Sequence, residues 1–576
     1  MTALLDYLHE AVTTKEDVDK VKNLILQLAM RGKLVEQDPT DEPASVLLEK
    51  IKEEKEQLIR GKKIKKEKPL PEVSPDEIPY ELPKGWEWVR LNEIALQITD
   101  GVHHKPTYLA EGIPFLSVKD VSKGFLDFSN VKYISEEEHE ELTKRCKPEF
   151  GDILLTKIGT TGIAKVIDTK REFSIFVSLA LLKIVQKNIY PLFLEYALNS
   201  PLVKRQSQDG TEGVGNKNLV LRKIKNFMIP LPPLNEQKRI IVKIEELLEQ
   251  CDQLSAELLK KKTQSEVLNK SVLTRIKDHS NPYQMDNLRF ALENIEHLCN
   301  DKASIDQLRN SLLSLAVQGK LVEQDTNDES ASVLLEKIKE EKSKLIKEKK
   351  IKKEKSLPPI IPEEVPYELP KGWEWVRLGE ITTFYGGFAF KSNSYVDTSE
   401  YQIIRLGNVK NNKLLLSATP AFIPEEIARE RDSYLIKDRD ILVTMTGTRG
   451  KRDYFYTCLV EYNSFPSSKN LYLNQRVGCL RSLPYINPYL VNMFLKSDVI
   501  LDSIFETETG TANQGNIGSN AIRELLFPLP PMEEQQRIVE KITALLNTCD
   551  RLELQLNEAI HYRGLFLKAI LQSVFS

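Results

Sequence analysis

The chain has 576 residues, 41% hydrophobic and 29% charged, with 81 Lys and Arg against 84 Asp and Glu for a net charge of −3. Such a length exceeds one core and implies several domains. The near-balanced charge excludes a protein that holds nucleic acid by its overall charge, so any such surface must be a local basic patch. No apolar run is long enough for a membrane span, and MTALLDYLHEAVTTKEDVDK is too polar for a secretory signal, so a cytoplasmic chain is expected.

Residues 1–78 read as a helical segment and a basic linker. Val18, Val21, Ile25 and Leu28 recur at three- and four-residue steps before Gly32. GKLVEQDPTDEPASVLLEKIKEEKEQLIRGKKIKKEK follows, and the narrow stripe Val46, Leu47, Ile51, Leu58 predicts a short exposed helix ending in the basic run Lys62–Lys68. Almost the same text returns at Gly319, 287 residues after Gly32, with a second basic run at Lys349–Lys355. Both runs read as solvated linkers, with a phosphate-contacting arm as the alternative.

Residues 79–229 read as the first globular domain. It opens with PYELPKGWEWVRL, identical at Pro79–Leu91 and Pro366–Leu378, and the two copies hold all four tryptophans. The alternation of Trp86, Trp88, Arg90 with Glu87, Val89, Leu91 predicts a strand. Exposed tryptophans could stack on bases, but identical copies suit a core strand better than two different readers. The stretches 92–228 and 379–526 diverge, although both show short apolar runs broken by Gly, Asn and Pro, which predicts mixed α/β domains. DILLTKIGTTG (Asp152–Gly162) still matches DILVTMTGTRG (Asp440–Gly450), and the Gly/Asn-rich loops GTEGVGNKN at Gly210 and GTANQGN at Gly510 hold matching places.

Residues 230–365 form a central helical segment and linker. In IPLPPLNEQKRIIVKIEELLEQCDQL, Pro232 and Pro233 end the preceding element and Asn235 is an N-cap candidate. Ile241, Ile244, Leu248, Cys251 and Leu258 recur at helical spacing, widened by Ile240, Leu247 and Leu254. His279 to Pro282 break the helix. Ile305, Leu308, Leu312 and Leu315 then lead to Gly319, placed as a C′ glycine. Residues 366–527 form the second domain and 528–576 a C-terminal helix, where Val539, Ile542, Leu546, Cys549 and Leu556 repeat the pattern. The six cysteines lack CxxC spacing, and Cys251 and Cys549 read as buried apolar groups. The chain is thus a pseudo-two-fold repeat cut open inside a helical region. The expected fold is mixed α/β (α+β), with two globular domains joined by two long antiparallel, coiled-coil-like helical segments. Residues 234–276 would span about 60 Å at ~1.5 Å per residue, more than one turn of B-DNA at ~34–36 Å. Two unlike domains on such a spacer suit two short, different sequences at a fixed gap.

The chain resembles the specificity subunits of type I restriction–modification enzymes over nearly its whole length. The resemblance rests on LPKGWEWVRL, on the helix starts IPLPPLNEQKRI and FPLPPMEEQQRI, on the helix ends AMRGKLV and AVQGKLV, and on the domain openings ITDGVHHKPTYLAEGIPFLSVKDV and FYGGFAFKSNSYVDTSEYQIIRLGNV. It implies that two target-recognition domains each read half of a split double-stranded DNA target. It further implies that the helices bind two methyltransferase subunits, and that restriction (motor/nuclease) subunits join them. S-adenosylmethionine, ATP and Mg are then expected on those partners, with no cofactor, metal or catalytic residue in this chain. In agreement, every Pro-Pro is preceded by Leu, so no [DN]PP[FYW] tetrad occurs, and no Gly-Lys pair is followed by Ser or Thr as a P-loop requires. His103 and His104 lack partners at zinc spacing.

DNA-reading candidates are polar, loop-borne and different between halves. In the first domain they are Thr99, His103, His104, Lys105, Lys157, Thr160, Thr161, Asn216, Lys217 and Asn218. In the second they are Lys391, Ser392, Arg405, Thr446, Thr448, Arg449, Asn474, Gln475, Arg476, Asn513 and Gln514. Arg pairs with guanine, Asn or Gln with adenine, and Lys or Thr with phosphate. A plain strand-ending turn remains the alternative for GTTG and GTRG. The rival functions are a stand-alone DNA-binding regulator, for which no helix-turn-helix is found, and an unaided DNA methylase, for which catalytic motifs are missing.

Overall fold

The computed structural model describes residues 11–573 except 68–69, 72, 214–216, 279–280, 466–469 and 512. It divides into two compact units, residues 1–261 with 564–576 and residues 262–563. None of the described helices is long and apolar enough to cross a membrane.

In the first unit the opening strand Glu87–Arg90 pairs antiparallel with Met228–Leu231, so the identical opening motif closes on the run before the Pro-Pro helix. Between them lies a four-stranded antiparallel sheet in the order Ala95–Asp100, Leu179–Ile184, Ile153–Thr156, Ala164–Val166. A three-stranded sheet follows the order Lys132–Ile134, Ile113–Leu116, Ser174–Ile175. Ile153 and Leu155 pack into one core and Leu154 into another. Both sheet faces are therefore covered, which is why this strand is apolar throughout rather than alternating.

The second unit repeats the plan. Glu374–Arg377 pairs with Leu526–Leu529, and the four-stranded order is Thr382–Gly386, Val477–Ser482, Ile441–Thr444, Thr457–Leu459. Phe422–Ile423, Tyr401–Ile404 and Asn470–Leu473 make the three-stranded sheet. The mixed α/β fold with two globular domains and long helical segments stands as expected.

Two helices, Leu234–Lys277 and Met532–Ser573, run for 44 and 42 residues. Each begins in one unit and ends in the other. The first starts one residue before the expected cap. The Pro233 carbonyl accepts the Gln237 amide at 3.0 Å, and the Asn235 side chain turns to Asp41. Its end at Lys277 precedes the expected break, of which residues 279–280 lie outside the described set. Ile240, Ile244, Leu247 and Cys251 are buried, as are Ile538, Ile542 and Cys549. The helix Ala44–Arg60 is less exposed than its stripe implied, because Ala44, Leu47 and Ile51 are buried.

A buried carboxylate ties each unit together. Glu236, 1% exposed on the first turn of its helix, accepts the Trp86 indole N–H at 2.9 Å and the Gln37 amide at 3.1 Å. Gln37 also donates to the Gly32 carbonyl at 2.6 Å, at the end of helix Lys15–Met30. Burial pushes the Glu236 carboxyl up, and its two donors pull it back. In the second unit Glu534 takes the same bonds from Trp373 at 3.0 Å and Gln324 at 3.1 Å. Of the four tryptophans of the opening motif, Trp86 and Trp373 are core residues, each 5% exposed, whereas Trp88 and Trp375 are half-buried and donate to the Tyr80 and Tyr367 carbonyls.

Trp86→Phe removes one donor from a buried carboxylate, a loss of about 1.5–3 kcal/mol. Hydrogen exchange of the full chain should then show faster opening of amides in residues 15–261, with residues 302–560 unchanged. Equal protection in both variant and parent would show that this bond does not hold the unit together.

Candidate nucleic-acid interface

In the first domain, strand Ile153–Thr156 runs into the turn Lys157–Gly162. The hairpin Thr211–Glu212/Asn218–Leu219 lies against that turn. The Gly159 amide donates to the Lys217 carbonyl at 2.9 Å and the Leu219 amide to the Lys157 carbonyl at 2.7 Å. The Thr161 and Thr211 hydroxyls meet at 3.2 Å. Two loops about fifty residues apart thus make one apex, presenting exposed Thr160 and Lys217 with half-buried Thr161 and Asn218. Asn216 lies outside the described residues.

The second domain builds the same apex from different side chains. Thr446–Gly447 pairs with Gln514–Asn516, which pairs with Thr509–Thr511. The Arg449 guanidinium donates to the Gly510 carbonyl at 3.1 Å, and Glu508 accepts the Gly450 amide at 3.1 Å and the Tyr454 hydroxyl at 2.6 Å. Arg449, Asn513 and Gln514 are exposed; Thr446 and Thr448 are half-buried.

A second group adjoins it. The Met445 amide donates to the Arg476 carbonyl at 3.2 Å, the Gln475 amide to Phe388 at 3.0 Å, and the Asn474 amide to Ile404 at 3.1 Å. Arg405 follows Ile404, half-buried, its guanidinium on the Thr419 carbonyl. Lys391 and Ser392 are exposed on the loop after Phe388. Gly387 is required here, since a Cβ would lie 2.1 Å from the Asn474 carbonyl oxygen. Gly101 meets Ile175 in the same way at 2.0 Å.

Two candidates do not sit as their residue types implied. Thr99 is buried in its strand and Lys157 is buried at the root of the turn. The Lys157 ammonium lies 3.0 Å from buried Asp100, which also accepts from Arg145 at 2.7 Å and contacts the His103 ring at 3.1 Å. Burial would raise the Asp100 carboxyl, but hydrogen bonds from Lys157 and His103 hold it below its usual value. Lys157 is thus a structural counter-ion, whereas His103, His104 and Lys105 remain exposed beyond it.

The type I restriction modification DNA specificity domain model matches residues 83–265 and 370–562, each covering one globular domain and most of the following long helix. The chain belongs to that family. It is 34% identical to the EcoAI specificity subunit of Escherichia coli over 93% of this chain and 90% of that protein. To the EcoEI specificity subunit of Escherichia coli it is 33% identical, covering 94% and 91%. The crystal structure of the HsdS subunit from Thermoanaerobacter tengcongensis aligns at 16% identity and a TM-score of 0.40, over 86% of this chain and 98% of that one.

For this family member the two domains can be compared position by position. Phe176 bridges Val102 in parallel as Asn474 bridges Phe388, and the Ser178 carbonyl accepts the Lys157 amide at 2.9 Å as Arg476 accepts Met445. Phe176–Ser178 therefore hold the place of Asn474–Arg476, and Ser117 that of Arg405. Sequence reading passed over them because Phe176 and Val177 are apolar and show no polar signal. It missed Arg145 because that residue follows a helix and not a glycine-rich loop.

Lys157→Met in the full chain should act on stability, costing about 3 kcal/mol by breaking a buried pair, with Arg145 reducing the loss. The folded Asp100 carboxyl sits below its ordinary 3.8, so the cluster's contribution is present above that value and lost as pH falls through the lowered one. Urea unfolding at pH 7 and pH 3 checks both, and an unchanged midpoint at pH 7 refutes the counter-ion role. Arg449→Ala, in contrast, should leave the unfolding free energy within about 0.5 kcal/mol of the parent.

Proposed function

We propose that this chain is the DNA sequence-specificity subunit of a type I restriction–modification complex, with each domain reading one half of a split duplex target. The carrying observation is one sheet topology used twice, with different side chains mounted on the same apex. His103, His104, Lys105, Thr160, Thr161, Lys217 and Asn218 serve the first half-site. Lys391, Ser392, Arg405, Thr446, Thr448, Arg449, Asn474, Gln475, Arg476, Asn513 and Gln514 serve the second.

The long helices set the gap between half-sites and dock two methyltransferase subunits. Supporting this, Leu259 and Val267 on the first helix are 67% and 65% exposed, and Ile560 and Tyr562 on the second are 59% and 67%. Such apolar side chains suit protein partners. Methyl transfer belongs to those partners, since the chain lacks the tetrad for adenine methylation, and restriction subunits join the same assembly.

The purified chain should therefore turn over no S-adenosylmethionine, and should direct methylation only with methyltransferase subunits bound two to one. Replacing residues 92–228 by another recognition domain should change one half-site; methylated-base sequencing showing both halves altered refutes independent reading. Arg449→Ala should weaken discrimination at one position of the second half-site by about 1–3 kcal/mol. A seven-residue insertion between Leu254 and Leu258, with another between Leu552 and Leu556, lengthens both helices by about 10 Å and keeps their faces in register. The preferred gap should then grow by roughly three base pairs at ~3.4 Å each, with unchanged half-sites. An unchanged gap in a folded variant means the helices are not the ruler.

A further inference from the structure

The first domain has an open groove of about 820 Å³ that the apex does not use. Helices Pro201–Asp209 and Leu221–Lys225 form two of its walls, and Pro71, Ser74, Glu77 and Pro79 form the third. These walls are fixed. The Gln206 side chain donates to the Met228 carbonyl at 3.0 Å and accepts its amide at 2.7 Å. Arg90 holds the third wall by donating to the Pro71 carbonyl at 3.0 Å and to both Glu77 oxygens at 2.9 Å.

Glu77 is thus neutralised, and the only other lining carboxylate is Asp209. Arg205, Arg222 and Lys223 also line the groove, and none of the ion pairs among the described residues involves them. Lys225, next along, holds Glu67 at 2.6 Å and so fastens the linker whose exposed lysines occupy 62–66. The two helical walls directly flank the hairpin of the apex, one ending at Asp209 and the other starting at Leu221. In the second domain the helix in the place of Pro201–Asp209 is Asp498–Glu506, which carries Asp498, Asp502 and Glu506 instead.

We infer that this groove is a phosphate track: Arg205, Arg222 and Lys223, with the pinned basic linker, hold the backbone of duplex DNA beside the first half-site. The inference rests on the specificity-subunit reading and adds the surface that supplies affinity without sequence information. It gives the first basic run a role and makes the two halves unequal in their salt dependence.

The test measures binding of the full-length chain to a duplex bearing its mapped target and to a shuffled duplex, across a salt series. Combined Arg205→Gln, Arg222→Gln and Lys223→Gln should flatten the slope of log affinity against log salt by about 2–3, at ~0.9 per phosphate. Affinity should fall by the same factor on both duplexes, with the preferred sequence unchanged. Lys339→Gln, Lys344→Gln and Lys347→Gln, removing equal charge from helix Ala331–Lys347, should leave the slope alone. An unchanged slope in a folded groove variant, an equal effect from the control, or a loss confined to the target duplex overturns the phosphate track. Failure of the parent chain to prefer its target overturns the specificity reading instead.

Discussion

Glu236 and Glu534 are the points on which each half of this protein depends. A carboxylate taken out of water is unfavourable unless its oxygens receive donors, and here they come from stretches far apart in sequence. Gln37 follows the end of the N-terminal helix, and Trp86 opens the recognition domain that Pro230 and Leu231 close. One charged group thereby orients a helix end, a domain opening and the first turn of a long helix. Its duplicate explains why the Trp-containing motif and the Glu-Gln pair after Pro-Pro recur together.

Holding the frame so firmly leaves the loops free to differ. The contacts joining the apex loops are largely backbone to backbone, as between Gly159 and Lys217 or Met445 and Arg476. Side chains there can change without losing the arrangement. Asp100 shows the limit of that freedom. It fastens the first domain's loop through Lys157, Arg145 and the His103 ring, while the corresponding strand of the second domain ends at Gly386 and relies on Gly387 packing against Asn474.

The long helices work at two levels. Near their starts Ile244 and Ile542 are fully buried in their own units. Further along, apolar side chains such as Val267 and Tyr562 face water. A helix stabilised by its first turns can carry such residues because its backbone bonds are already satisfied along its length. Those side chains add nothing to the burial that holds each unit together.

Repeats and helices were legible in the sequence because they rest on local periodicity and on near-identical text. The three- and four-residue steps of Ile241 or Val539, the two glycines after AMR and AVQ, and the paired tryptophans each carry their meaning within a few residues. The loop apex of each domain was half legible. Its loops stood out as polar and glycine-rich, but nothing local indicated that Thr161 would meet Thr211 or that Arg449 would reach Gly510. Lys157 had the right residue type for a phosphate contact, and only folding turned it inward, because the strand above ends in a buried aspartate that needs a cation. Phe176–Ser178 and Arg145 were invisible for the converse reason: their place beside the loop at Lys157 comes from strand pairing and a shared carboxylate, not from anything in their own composition. Pairing between distant segments is decided by which surfaces the whole chain must bury, and so by the tertiary structure alone.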